Sequence, residues 1–323
     1  MDRITSRALF ALSMLCLGPS AVWAQAWPAK PIRMIIPFAP GGGTDVVGRI
    51  IAKHLSERLG QQVMVENRPG ANGIVGMQAL LQAPADGYTI SAVGDGTLVM
   101  NPALYAKLPY DTLRDLAPVA RTVRFPGMIS VHPSVPVRSI PALIALGKSR
   151  PGELTYPSGG MGNASHLAME LFALSTGAKF LHVPYNGTGP ASLALLAGHV
   201  HVMFNNVQTT MPYVTSGKVR ALGVGEPRRI EALPNIPAIA ESVPGYEMAP
   251  WTSVVAPRAT PAPVVSRLSA ELVEIMRLPE VTALLEKQVL SPAPQAPDEF
   301  LQFIKQELAK WDKVIKSAGI KVE

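Results

Sequence analysis

The sequence predicts an α/β fold of two lobes with a ligand cleft between them, and three observations carry that expectation. From residue 32 onward, short apolar runs rich in Ile and Val alternate with helical patterns, which argues for parallel α/β layering. The alternation breaks after Gly225 into a Pro-rich, irregular stretch and resumes as one strand and three helical patterns. That is the order expected if the chain leaves one lobe, builds a second and returns. Three Gly-rich turns also follow strands: GGGTD at 41–45, PSGGMGNASHL at 157–167 and PYNGTGP at 184–190. Ligands of open α/β sheets sit beyond the carboxyl ends of the strands, where such turns lie.

The first element is not part of the fold. Arg3 and Arg7 precede an apolar run from Ala8 to Leu17, a Gly18-Pro19 break and small residues ending at Ala24. This reads as a secretory signal peptide over residues 1–24, so that the mature chain is exported. The run is about half the ~20 residues a membrane span needs. Cleavage is expected after Ala24, with Ala26 as the competing position. The only cysteine, Cys16, falls inside this segment. Leu15 precedes it where a lipoprotein signal wants a small side chain, so no lipid anchor is expected. The mature chain would then lack disulfides, cysteine metal sites and a thiol nucleophile.

Ile32 to Phe38 is a nearly continuous apolar strand. Val47, Ile50, Ile51, Leu55 and Leu59 follow at helical spacing, Gly60 is placed to stop the helix, and Val63 to Val65 begins the next strand. A second series starts near Gly127, with strands at 128–131, 154–156, 180–183, 200–204 and 219–224. Its helices begin near Ser139, Ala164, Pro190 and Thr209. The 164–176 helix places Leu167, Leu171 and Leu174 on one face. Thr252 to Ala256 is the returning strand. The expected division is 25–126 plus 249–323 for the first lobe and 127–248 for the second, with crossings near 124–127 and 248–251. Two crossings make a hinge.

Composition narrows the function classes. The chain has 323 residues, is 48% hydrophobic and 16% charged, and carries a formal charge of +6 that falls by one when Asp2, Arg3 and Arg7 leave with the signal. A modest basic excess suits anionic small ligands. No dense Lys/Arg run interleaved with aromatics points to nucleic acid. Among enzyme motifs, the G-x-S-x-G elbow, H-E-x-x-H and the P-loop are missing. His199 and His201 could share a strand face as metal ligands would, but no third ligand has plausible spacing, so neither metal nor cofactor is expected.

The glycine turns carry the binding chemistry. At Gly41 to Gly43 no side chain blocks the approach of a ligand, and Thr44 or Asp45 can cap the helix that follows. Free amides at a helix N-terminus attract anions, so a carboxylate is the natural guess. An ordinary tight turn with a cap would look the same in isolation; the recurrence of the pattern in the second series favours a cleft built from backbone donors. Asp45 would repel an anion unless it points away as a cap. His166, just inside the helix after Asn163, either lines the cleft or braces the loop, and His54 and His182 read as structural.

With WPAKPIRMIIPFAPGGGTD at the start, VENRPGANG at 65–73, ADGYTI at 85–90, KLPYDTLRDLAPV at 107–119, SGGMGNASHLAMELF at 158–172, VPYNGTGPA at 183–191 and PNIPAIAESVPGYE at 234–247, the chain resembles the Bug or TctC-type substrate-binding proteins of tripartite tricarboxylate transporters. The resemblance implies a two-lobed type II periplasmic binding protein fold. It also implies a small carboxylated ligand held by backbone amides, small polar side chains and ordered water rather than by arginines. By position it nominates Phe38, Gly42, Gly43, Thr44 and Asp45, with Gly94 and Thr97 from GDGT, a sequence less typical of the family. From the second lobe it nominates Ser158, Gly159, Gly162, Asn163, His166 and Asn205. Many relatives carry aspartate at Asn205, and a neutral amide there should disfavour a ligand amino group.

The resulting expectation is a monomeric periplasmic receptor without catalytic residues. It would trap a small organic carboxylate by lobe closure and deliver it to membrane transporter subunits. Two alternatives stay open: a sensor that signals to a membrane kinase, and a secreted enzyme with His166 as its base.

Overall fold

The computed structural model describes residues 27–321; the expected signal peptide lies outside them. The strands among these residues are β1 (Ile32–Ile36), β2 (Val63–Asn67), β3 (Thr89–Gly94), β4 (Leu116–Arg124), β5 (Gly127–Val131), β6 (Thr155–Ser158), β7 (Leu181–Pro184), β8 (Val202–Asn206), β9 (Arg220–Val224), β10 (Trp251–Pro257) and β11 (Ser291–Gln295). The helices of two turns or more are α1 (Gly43–Leu59), α2 (Ile74–Leu81), α3 (Ile140–Ser149), α4 (Ala164–Thr176), α5 (Thr188–Leu196), α6 (Val207–Thr215), α7 (Ala262–Ile275), α8 (Pro279–Glu286) and α9 (Pro297–Ser317).

One six-stranded sheet runs in the order β11-β4-β10-β3-β1-β2, a three-stranded sheet in the order β8-β5-β9, and β6 pairs with β7 alone. The chain therefore leaves the large sheet after Arg124 and rejoins it at Trp251. Parallel layering holds for β1 with β2 and β3, and for β6 with β7. It fails elsewhere: β10 is antiparallel to β3 and β4, and β5 is antiparallel to β8 and β9. The register gives the reason for the second case. Gly127 at the start of β5 faces Asn206 at the end of β8, so β5 runs away from the crossing while β8 runs towards it. The unforeseen β11, SPAPQ, is an edge strand on β4, the one place where prolines lacking an N–H are tolerated.

Each face of the large sheet is covered for a readable reason. Val47, Ile51 and Leu55 of α1 recur every four residues and pack with Ile32, Met34 and Ile36 of β1. Fully burying each such side chain is worth roughly 1.5–3 kcal/mol. On the opposite face, Phe300, Ile304 and Trp311 of α9 belong to one apolar cluster with Ile35, Val93 and Trp251. The same apolar cluster continues into Ile129, Phe204 and Leu167 of the second lobe, so the lobes share packing at their base. The rings of Phe300 and Phe303 stand edge-on to Trp251, with centroids 5.5 and 5.4 Å away.

At the crossings the backbones run side by side. Phe125 N donates to Pro250 O at 2.7 Å, Gly225 N to Gly127 O at 2.8 Å, and Met248 N to Gly225 O at 2.9 Å. A Cβ on Gly225 would stand 2.1 Å from Met248 O, so only glycine fits that approach. Arg124 ties the same region with charge, pairing with Glu226 at 3.1 Å and Glu247 at 2.5 Å.

Candidate functional site

Between the lobes lies a cleft of about 280 Å³. Its first-lobe wall is Phe38, Gly43 and Thr44 from the turn after β1, Asn72, and Gly94, Asp95 and Gly96 from the end of β3. Its second-lobe wall is Gly162, Asn163 and Ser165 at the start of α4, Thr188 at the start of α5, and Asn205, Asn206 and Thr209 around the end of β8. Phe125, Pro250 and Trp251 close it at the crossings. The cleft thus joins the three Gly-rich turns read from the sequence.

Four helices begin at this cleft. Residues of the first turn of α1, α4, α5 and α6 line it, and α1, α5 and α6 start without any side-chain cap. Only α4 has one, with Asn163 Oδ1 accepting from Ser165 N at 2.9 Å. The first amides of a helix have no intrahelical partner. Uncapped N-termini therefore present free N–H groups and the positive end of a macrodipole to whatever enters, except that the first amide of α6, Val207 N, donates to Pro126 O at 2.8 Å. Among the described residues lining the cleft there is no Lys, Arg or His, and Asp95 is the one ionisable side chain.

The turn after β1 is shaped from behind. A Cβ on Gly43 would lie 2.6 Å from the Phe125 ring, so glycine lets that ring close the cleft. Asp45 does not line the cleft. It is buried, and its carboxylate accepts from Gly41 N at 2.9 Å, Arg49 Nε at 2.9 Å and Asn67 Nδ2 at 2.8 Å. Burial pushes its pKa up, but these hydrogen bonds and the Arg49 charge outweigh it and hold the carboxyl down at about 2. Asn67 also donates to Phe38 O at 3.0 Å, locking strand β2 to the turn. Gly42 forms the N-cap and stays out of the lining.

The second-lobe loop is braced by aromatic rings. His166 and His182 stack with centroids 3.8 Å apart and planes 8° from parallel, with Tyr156 on His182 at 4.9 Å. His166 Nδ1 accepts from Gly162 N at 3.0 Å. Ser158 Oγ donates to Gly160 O at 2.9 Å and lies 2.6 Å from His182 Nε2. Desolvation lowers the pKa of His166 to about 3, with help from His182, and that of His182 to about 4, so both rings are neutral at ordinary pH.

Of the residues expected from the sequence, Phe38, Gly43, Thr44, Gly94, Gly162, Asn163 and Asn205 come together in the lining. Gly42, Asp45, Thr97, Ser158, Gly159 and His166 do not. Thr97 is fully buried, its hydroxyl donating to Asn72 O at 3.2 Å. Ser158, Gly159 and His166 hold the loop rather than face the cavity. Asp95 lies within the Gly94–Thr97 loop and Asn206 beside Asn205, both stretches that the sequence points to, whereas Asn72, Phe125, Thr188 and Thr209 are not singled out by it. Asn72 sits at φ 51 with its amide on Asn101 Oδ1 at 2.7 Å, and the only hint of it was the GANG turn.

The chain matches the family described as tripartite tricarboxylate transporter family receptor over residues 47–320. It belongs to that family. It is 38% identical over 307 residues to the UPF0065 protein in the tcbD-tcbE intergenic region of Pseudomonas sp. strain P51, covering 94% of this chain and 91% of that one. It is 36% identical to BugT of Bordetella pertussis over 94% of this chain and 93% of the relative. Among solved structures it is similar to R. palustris Rpa4515 with adipate (TM-score 0.79, 36% identity, 92% of this chain and all of the other). MatC of Rhodopseudomonas palustris with bound malate is also similar (TM-score 0.74, 29% identity, 90% of this chain and all of the other). The two-lobed α/β fold and the receptor family are thus those the sequence resemblance implied. No helix among the described residues is long and apolar enough to cross a membrane.

Proposed function

We propose that this receptor works in the periplasm as a monomer, captures a small organic carboxylate between its lobes and delivers it to membrane transporter subunits. The observation that supports this most is the convergence of uncapped helix N-termini on a cleft without a cationic side chain. Such a site binds anions through backbone amides. The adipate and malate in the two similar structures point to dicarboxylates. We assign residues 25–126 and 249–323 to one moving body and 127–248 to the other, with signal cleavage after Ala24. The cleft residues named above would contact the ligand, Gly43, Thr44, Gly162, Asn163 and Asn205 among them. Catalysis has no support in the geometry: His166, the base an enzyme would need, is 3% exposed with Nδ1 engaged by Gly162.

The test is thermal unfolding of the refolded mature protein with mono- and dicarboxylates, including adipate and malate, beside the matching amides. Stabilisation follows RT ln(1 + [L]/Kd), about 2.7 kcal/mol at 100 Kd. A shift with an acid and none with its amide supports the reading; equal shifts with both would refute it. The returned ligand should be chemically unchanged.

A further inference from the structure

Resting on that reading, one group in the cleft does not fit a simple anion trap. Asp95, at the end of β3, is the only ionisable side chain lining it, and it is 9% exposed. It takes part in no ion pair among the described residues. Its Oδ1 accepts from Gly96 N at 2.9 Å. The charged groups that face it are Glu307 and Lys310 of α9. Lys310 is already committed to Glu307, 2.5 Å away, so Asp95 has no cation of its own.

A buried carboxylate without a cation, beside an incoming carboxylate, leaves two acids to share one site. Two such groups cannot both stay ionised. Protonated, however, Asp95 becomes an O–H donor, and an acid–carboxylate hydrogen bond is among the short, strong ones.

We propose that Asp95 is the specificity-determining group of the cleft: it takes a proton from solvent as a carboxylate ligand binds and donates that proton as a hydrogen bond to a ligand carboxylate oxygen. Capture is then proton-linked. Burial already raises the Asp95 carboxyl to about 7, with Glu307 adding to the rise and the Gly96 amide and Lys310 opposing it. The ligand's charge raises it further. The sign follows: below pH 7 the free receptor already holds the proton and affinity is flat. Above pH 7 the proton must be bound together with the ligand, and affinity falls as pH rises.

The experiment is titration calorimetry of the mature protein with adipate, malate and other four- to eight-carbon dicarboxylates at pH 8, in two buffers of different ionisation enthalpy. We expect about one proton taken up per ligand bound and Kd about fivefold weaker at pH 8 than at pH 7. Asp95→Asn, which keeps a donor and loses the charge, should bind with no proton uptake and no pH dependence. Zero uptake by the wild type overturns the proposal and leaves the carboxylate receptor standing. Proton release, or binding that tightens with rising pH, overturns it, because Asp95 would then stay ionised in the complex. Binding of none of the dicarboxylates by either protein removes the receptor reading and this inference with it. The wild-type proton count decides even if the variant fails to fold.

Discussion

The two walls of the cleft present the same surface, glycine turns and helix N-termini, but are held in place by opposite means. Behind the first-lobe turn stands an ionic brace of Asp45, Arg49 and Asn67. Behind the second-lobe loop stand neutral imidazoles stacked on one another and on Tyr156. A carboxylate held at about 2 keeps its charge at any ordinary pH. Imidazoles held neutral by burial resist charging only at a cost in stability. On the proposed reading of a backbone-donor site, the sequence-specific chemistry stands behind the loops, where it fixes amide directions, and few side chains are left for the ligand.

The comparison breaks most visibly in acid. Folded His166 and His182 titrate near 3 and 4, against about 6.5 in an unfolded chain. Between those values the unfolded state binds more protons, so stability present above pH 6.5 is lost as pH falls. For the almost fully buried His166 alone the loss is about 2 kcal/mol by pH 5. Urea unfolding at pH 7 and pH 5 should show it, and a His166→Phe, His182→Phe double variant should have a flatter profile. Identical pH profiles for the two proteins would remove the histidine stack as the sensitive brace. Asp45 contributes nothing to this window, because its stabilisation fades only below about pH 4.

Next in size is the first-lobe brace. Asp45→Ala would leave the Gly41 amide and the Asn67 side chain without their acceptor, at about 2–3 kcal/mol for hydrogen bonds to a charged group. The expected result is a lower urea midpoint together with weaker dicarboxylate binding, since Phe38 and Gly43 lose the frame that Asn67 supplies. Asp45→Asn should recover part of the stability. If Asp45→Ala kept full stability and lost only binding, Asp45 would be a ligand contact after all.

The lobed fold and the glycine turns were legible because their signals are local. Period-two and period-3.6 patterns mark β1 and α1, and a glycine run after a strand marks a site for close approach. Strand direction is not a local property, so the antiparallel β5, β8 and β9 were read as parallel. The two prolines of β11 disguised it, since only an edge position makes them acceptable. The same limit governs the site. Asp95 stood in plain view in GDGT, but the burial that raises its pKa is a tertiary property, and Glu307 and Lys310, which modify it, are more than a hundred residues away. His166 could be placed near the loop from the sequence. Its stacking on His182 depends on β6 pairing with β7, which no spacing announces.

The smallest effect sharpens the contrast between the walls at the ligand itself. Asn205 is neutral and held, its Nδ2 donating to Ser192 Oγ at 3.1 Å while its Oδ1 accepts from Asn206 N at 2.8 Å. Asn205→Asp keeps the second bond and can keep the first, because Ser192 can turn its hydroxyl from Thr188 O, now 2.8 Å away, to donate to the new oxygen. The fold should therefore tolerate it, with an unfolding midpoint close to wild type. The added charge, facing the same cavity as Asp95, should weaken dicarboxylate binding about tenfold, or about 1.4 kcal/mol, and narrow the gap to acidic amino acids, whose ammonium it can meet. Calorimetry of the variant with malate and with aspartate measures both changes. Unchanged affinity for both would mean that Asn205, although it lines the cleft, does not face the ligand, and that the second lobe reads its ligand through backbone amides alone.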